Sequence, residues 1–167
     1  MCIESATGKE QIAVIAALAE EIWRQHFTPI IGKSQVEYML EVFQSERAIG
    51  EQMKKGFLYY LIKTNNRHVG YFGVYQTDDG LLLSKFYISS TERGKGLGRR
   101  AMIFIESLAI ERGVTRIILT VNKYNSDAIE AYKKFGFQIT GSMVQDIGNG
   151  FVMDDYRMEK ALGKSQT

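Results

Sequence analysis

The first fifty or so residues carry apolar side chains at helical spacing, and the remainder is mostly short apolar and aromatic runs of strand length, with two further helical stretches. Ile12, Ile15, Ala16, Ala19, Ile22, Trp23 and His26 fall on one face of a helix. Thr7 to Glu10 has the S/T-x-x-E form of a capping box that would open it. FTPIIG (27–32), which holds the only proline, is expected to break it. Ser34 to Glu37 repeats the box ahead of a second helix that buries Val36, Met39, Leu40 and Phe43. A third, short helix fits 46–55 and stops at Gly56. A short strand is expected before them, at CIES (2–5).

FLYYLIK (57–63), HVGYFGVYQ (68–76) and LLLSKFYI (81–88), joined by TNNR and TDDG, read as an antiparallel meander. A helix over 101–113 then leads to TRIILTV (115–121), a buried strand. Strand, helix, strand implies a right-handed crossover between parallel strands. Within 122–137 a further helix puts Ala128, Tyr132 and Phe135 on one face, with Gly136 as its stop. Asn149-Gly150 then turns a hairpin of 137–145 and 151–159. The fold class is α/β, with a mixed, mostly antiparallel central sheet and helices on both faces. One domain is expected over 1–162, with 163–167 a frayed tail.

Composition narrows the partners. A chain of 167 residues buries roughly 70% of its unfolded surface and needs no metal or disulfide to hold it. A net charge of +2 is too small to argue for nucleic acid. Cys2, the single cysteine, excludes an intrachain disulfide and fits a reducing compartment. The longest apolar run, IAVIAALA (12–19), is too short to span a bilayer and lacks the flanks of a signal peptide. A cytoplasmic protein without membrane or nucleic-acid partners is therefore expected.

The stretch SSTERGKGLGRRAM (89–102) joins the third strand of the meander to a helix. It packs Gly94, Gly96 and Gly98 among Arg93, Lys95, Arg99 and Arg100. Unpaired N–H groups and a positive dipole at a helix start favour an anion, and glycine lets a phosphate approach the backbone. A P-loop is excluded, because Leu97-Gly98 follows Lys95-Gly96 without the required spacing or hydroxyl. A dinucleotide fingerprint is excluded too. The spacing is G-x-G-x-G, and the next strand ends in Val121-Asn122 without an acid.

Arg93 to Gly98 instead fits [RQ]-x-x-G-x-[GA]. Asn125, Ala128, Tyr132 and Phe135-Gly136-Phe137 fit N-x-x-A-x-x-x-Y-x-x-x-G-F, and DDYRMEKAL (154–162) reads as a last strand. In these motifs and in its element order the chain resembles the GNAT superfamily of N-acetyltransferases, least closely before residue 57. The resemblance implies splayed fourth and fifth strands, with the pantetheine of acetyl-CoA against backbone at Phe86, Tyr87 and Ile88. It implies a pyrophosphate held by Arg93, Gly94, Lys95, Gly96, Leu97, Gly98 and Arg99. Asn125 would bond the cofactor's arm, and Tyr132 would protonate the leaving thiolate. The helix-joining segment would shape the acceptor site with Phe27, Ile30 and Ile31. No metal is implied.

Several of these residues also have plainer readings. Asn125 fits a helix N-cap, Tyr132 and His26 fit core positions, and Glu37 with Glu41 fits a solvated helix face as well as an amine-attracting one. Many family members carry a glutamate as general base on the fourth strand, where this chain has Ser84. An acceptor ammonium, with a pKa of about 10.4, must still lose a proton. Relayed water, His26, Glu21 or Asp155 are the options. The implied activity is direct acetyl transfer from acetyl-CoA to a primary amine, a small molecule such as a polyamine. A protein N-terminal acetyltransferase and a non-catalytic acyl-CoA sensor are the alternatives, and a homodimer is compatible with either.

Overall fold

The computed structural model describes residues 1–163, so the tail expected to fray lies, beyond Gly163, outside the described residues. The elements are β1 Cys2–Ser5, α1 Lys9–Ile31, α2 Lys33–Phe43, α3 Glu46–Lys54, β2 Leu58–Thr64, β3 Arg67–Thr77, β4 Gly80–Ile88, α4 Leu97–Glu111, β5 Arg116–Asn122, α5 Ser126–Lys134, β6 Gln138–Gly148 and β7 Phe151–Ala161. The hydrogen-bonded strand order is β1-β2-β3-β4-β5-β7-β6. It is mixed and mostly antiparallel, flanked by helices, as the periodicity predicts. By compactness the chain divides into two units. One is Met1–Tyr75 with Lys85–Ala101, and the other is Gln76–Ser84 with the chain from Met102 onward. Among the described residues no helix is long and apolar enough to cross a membrane.

In the first unit the helices bury Ile15, Leu18, Ala19, Ile22 and Trp23 from α1, Val36, Met39 and Leu40 from α2, and Ala48 and Ile49 from α3. Three expectations are corrected here. Gly8, not Thr7, is the α1 N-cap: its N–H donates to the Gln11 side chain at 2.9 Å. α1 does not break at Phe27 but continues through Pro29 to Ile31. Proline in a last turn removes one donor, and the buried Ile22 and Trp23 hold the helix against that loss. Gly32 then ends it at φ +85°, and the same residue caps α2, so Ser34 lies inside α2 and caps nothing. Ser45 does cap α3, accepting from the Ala48 N–H at 3.1 Å.

A buried polar chain ties these helices to their strands. Tyr71 Oη donates to Gln44 Oε1 at 2.6 Å, Gln44 Nε2 donates to Tyr59 Oη at 3.1 Å, and Tyr59 Oη donates to Gln52 Oε1 at 2.6 Å. Gln44 is 1% exposed, so its amide depends on these partners. Burial pushes the Tyr59 hydroxyl up to about 12 and holds Tyr71 well above the usual phenol value, so both stay protonated donors. The β2–β3 turn is local chemistry: Asn65 and Asn66 adopt φ of 51° and 61°, as a two-residue hairpin turn demands.

In the second unit β4 and β5 run parallel, with Leu81 in register with Ile117 and Leu82 with Ile118. β5 then pairs along its whole length with β7, from Arg116↔Ala161 to Asn122↔Asp155. Asn149 and Gly150, at φ 55° and 80°, turn the β6–β7 hairpin where the sequence predicts. The core of this unit is Leu81, Leu83, Met102, Ile105, Ala109, Ile117, Leu119, Ile129, Phe137 and Met158. Arg116 ties β5 to its neighbours through Glu159 at 2.9 Å and the Asp79 carbonyl at 2.6 Å.

Gly70 fixes how closely β3 and the end of β4 approach. A Cβ there would stand 2.5 Å from the Tyr87 carbonyl oxygen and 3.2 Å from Ile88 Cα, both backbone atoms. Gly70→Ala is expected to cost about 2 kcal/mol through overpacking, lowering Tm by roughly 4–8 °C in a thermal melt. A wild-type Tm would show that the strands separate freely.

Candidate functional site

The first unit carries the glycine loop. β4 ends at Ile88, and the Ser89 N–H donates to the Val69 carbonyl at 2.7 Å. A single 3-10 turn over Ser90–Glu92 follows. Gly94 and Gly96 sit at φ 78° and 79°, a region that side chains disfavour, with nothing within 4 Å of where a Cβ would be. α4 starts immediately, its first bond running from the Arg100 N–H to the Gly96 carbonyl at 3.2 Å. The amides of Leu97, Gly98 and Arg99 therefore open the helix without helical partners. Leu97 is buried and pins the turn, while Gly94, Lys95, Gly96, Arg99 and Arg100 face solvent. Left-handed glycines and helix-start amides together present positive polarity to open space, a combination that favours an anion.

The basic residues of the loop are not equivalent. Arg93 donates from Nε to the Ile88 carbonyl at 3.3 Å. Lys95 is held by Glu92 at 3.0 Å, and Glu92 also takes Arg67 at 3.0 Å. Arg99 and Arg100 are exposed at the helix start.

Phe86, Tyr87 and Ile88 are half-buried at the end of β4. Phe86 stacks on Phe72, with centroids 6.3 Å apart. Tyr87 meets Trp23 at 5.5 Å, Tyr71 at 5.6 Å and Phe27 at 5.9 Å, an aromatic cluster that sequence spacing did not reveal. The partners come from elements distant in the chain, so no local period marks them. Phe27 is thus a packing residue as well as an acceptor-site candidate, while Ile30 and Ile31 are half-buried at the end of α1. His26 stands edge-on to Phe27 at 4.9 Å. Glu37 does not lie open to an amine: Arg24 grips it with bonds of 2.8 and 3.0 Å, which lowers its carboxyl pKa. Glu41 is exposed.

The second unit carries the other motif. Asn125 occupies the N-cap position of α5 and is 6% exposed, but its side chain makes no capping bond. The capping role expected of it is not what it does. Asn122 Oδ1 accepts the Tyr124 N–H at 2.9 Å and shapes the turn instead. Tyr132, two turns into α5, is half-buried edge-on to Phe137 at 5.6 Å, and burial raises its hydroxyl pKa well above the usual phenol range. It is therefore a proton donor at any physiological pH. Ser84 lies in β4, two residues past Leu82. Among the described residues no group of three or more His, Cys, Asp or Glu could hold a metal ion.

Residues 15–137 match the sequence profile of the acetyltransferase (GNAT) family. The chain belongs to that family. The spermine/spermidine N(1)-acetyltransferase of Bacillus subtilis (strain 168) is 35% identical over 78 residues, 44% of this chain and 51% of that protein. The chain thus spans about half the length of that relative. Among solved structures, the PaiA N-acetyltransferase of Thermoplasma acidophilum in complex with coenzyme A superposes with a TM-score of 0.79 over 96% of this chain and 99% of that one, at 18% identity. The ribosomal-protein-S18-alanine N-acetyltransferase of Escherichia coli gives a TM-score of 0.71 over 99% and 96%, at 15% identity. At such identities the likeness is one of fold.

Lys85 supplies a test of the local environment. Desolvation lowers its ammonium pKa to about 8 from 10.5. A base depressed by burial weakens the fold wherever it is charged in both states, below about pH 8, and costs nothing once neutral in both, above about 10.5. Lys85→Met is expected to raise Tm by a few degrees at pH 7 and hardly at pH 10.5. An equal gain at both values would remove charge burial as the cause.

Proposed function

We propose that this chain is an N-acetyltransferase that moves an acetyl group from acetyl-CoA directly to a primary amine, a small molecule such as a polyamine. The observation that carries the reading is the loop itself: left-handed Gly94 and Gly96, open space around both, and the unpaired amides of the α4 start. Family membership and a likeness in fold to a coenzyme A complex support acetyl-CoA as the cosubstrate. The Bacillus relative's polyamine substrate supports the acceptor class. A cytoplasmic location and a single acetyltransferase domain over 1–162 belong to the same reading.

Loop residues Arg93, Gly94, Lys95, Gly96, Leu97, Gly98 and Arg99 take the pyrophosphate through backbone N–H groups and basic side chains. The backbone of Phe86, Tyr87 and Ile88 serves the pantetheine, and Asn125 bonds the cofactor's arm. Phe27, Ile30 and Ile31 line the acceptor side. The neutral amine nitrogen bonds to the acetyl carbon and passes a proton to water while the carbon–sulfur bond breaks, and Tyr132 gives its proton to the departing sulfur and regains one from water. An amide of β4 steadies the oxygen that becomes negative.

Coenzyme A release measured over polyamines, aminoglycosides, amino acids and peptides tests the whole reading. Turnover of small amines supports it, turnover of peptides alone moves it to protein N-termini, and acetyl-CoA binding without turnover makes the chain a sensor. Acetyl-CoA is also expected to raise Tm. Gly96→Val should lower the unliganded Tm through its positive φ and abolish the rise on adding acetyl-CoA. A full ligand-induced rise in that variant would remove the loop from the cofactor site.

Tyr132→Phe keeps the ring against Phe137 and removes only the donor. Tm and acetyl-CoA affinity should change little, while kcat falls at least about tenfold, in line with loss of a general acid. A variant at full speed would show that Tyr132 is packing alone.

A further inference from the structure

The β6–β7 hairpin lies wholly within the second unit, and its outer strand is open to solvent. From Gln138 to Asp146 every residue of β6 is exposed, on both faces of the strand. Among the described residues β7 is its only strand neighbour, so no second strand takes the backbone N–H and C=O groups along its outer edge. Edge strands are commonly kept short, or carry lysine or proline, which discourages another strand from pairing there. β6 has eleven residues with no lysine, arginine or proline, and its one charge is Asp146. The other edge strand follows the common rule: β1 has four residues, and Glu4 within it is paired with Lys63 and His68.

Register decides what β6 shows. Shifts between Ile139 and Gly141 and between Asp146 and Gly148 enclose a regular ladder, from Gly141 opposite Arg157 to Asp146 opposite Val152. Residues directly opposite in an antiparallel pair share a face. The first shift therefore brings Ile139, opposite Met158, to the face of Val144, opposite Asp154, and of Val152, opposite Asp146. Ile139, Val144 and Val152 are 42%, 68% and 50% exposed, three apolar side chains standing in water on one face.

We propose that a second copy of the chain completes this edge, its β6 pairing antiparallel with the first about a two-fold axis at Met143. Met143 is the midpoint of Gln138–Gly148, so pairing centred there overlaps the two strands along their whole length. Met143 then faces Met143, Val144 faces Ser142 and Gln145 faces Gly141. Asp146 falls beside Thr140 and not beside its own copy, so self-pairing brings no like charges together. A two-fold axis normal to the sheet keeps each side chain on its own face. Ile139, Val144 and Val152 of both copies thus share one side of the joined sheet. A different protein would find a single charge on β6 to steer or select it, whereas the chain's own β6 matches it in length, neutrality and apolar face.

Sedimentation velocity of the full chain tests this. At about 20 µM the wild type is expected to sediment at twice the 19.0 kDa mass of one chain. Val144→Lys places an ammonium on the joined edge, while Asp154 opposite it in β7 accommodates the charge within its own hairpin. It is expected to weaken the dimer at least about tenfold with an unchanged far-UV circular dichroism spectrum. Met143→Cys in a Cys2→Ser background is expected to link two chains through a short bis-maleimide, because residues on the axis stand about 5 Å apart at Cβ. A wild-type monomer overturns the proposal and leaves the edge to a strand of another protein. A dimer that Val144→Lys leaves intact overturns it too, as does a Met143→Cys dimer that does not link, since each places the contact elsewhere. Should Val144→Lys fold poorly, Ser142→Lys, at the facing position of the pair, carries the same outcomes.

Discussion

The parallel register of β4 and β5, with Leu81 opposite Ile117 and Leu82 opposite Ile118, is the constraint on which the second unit is built, because parallel strands need a long crossover and α4 lies in it. β5 then pairs along its whole length with β7. In the first unit the Ser89 N–H donates to the Val69 carbonyl and Arg93 Nε to the Ile88 carbonyl, so backbone groups just past β4 find local partners.

Cohesion within each unit has its own source. In the first, the aromatic cluster of Trp23, Phe27, Tyr71 and Tyr87 packs β3 and the end of β4 on α1, and the Gln44 relay ties β2 and β3 to the helices after it. These are interactions of buried area and buried hydrogen bonds, so they are insensitive to salt. In the second, strand pairing and the ion pair of Arg116 with Glu159 hold β5 and β7 in register, and Lys160 with Glu106 ties β7 to α4. Register decides which face each side chain takes, and a one-residue slip would carry Asp155 to the face where Lys123 waits.

The chemistry of the candidate site follows from what is neutralised and what is left. Lys95 is paired with Glu92 and Glu37 with Arg24, so neither is as available as a count of charges suggests. Arg99 and Arg100 at the helix start and the amides beneath them keep their positive character. Tyr132 is kept protonated by burial, and burial with the adjacent Asp154 charge raises the Asp155 carboxyl to about 6 against the pull of Lys123.

The sequence by itself determined whatever depends on local backbone chemistry. Asn65-Asn66 and Asn149-Gly150 mark their turns because few residues tolerate positive φ, and Gly94 and Gly96 mark the anion loop for the same reason. Helix and strand periods gave the element order, and the spacing of Asn125, Tyr132 and Gly136 identified the family that the profile match shows. Tertiary structure decided what depends on distant partners. α1 passes through Pro29 because Ile22 and Trp23 are buried, and capping moved from Thr7 and Ser34 to Gly8 and Gly32. Glu37 met Arg24 because α1 packs on α2. Asp154 and Asp155 are indistinguishable as neighbours in sequence. Pairing of β7 with β5 puts Asp154 beside Lys123 and turns Asp155 to the opposite face, since alternation sends adjacent side chains to opposite faces.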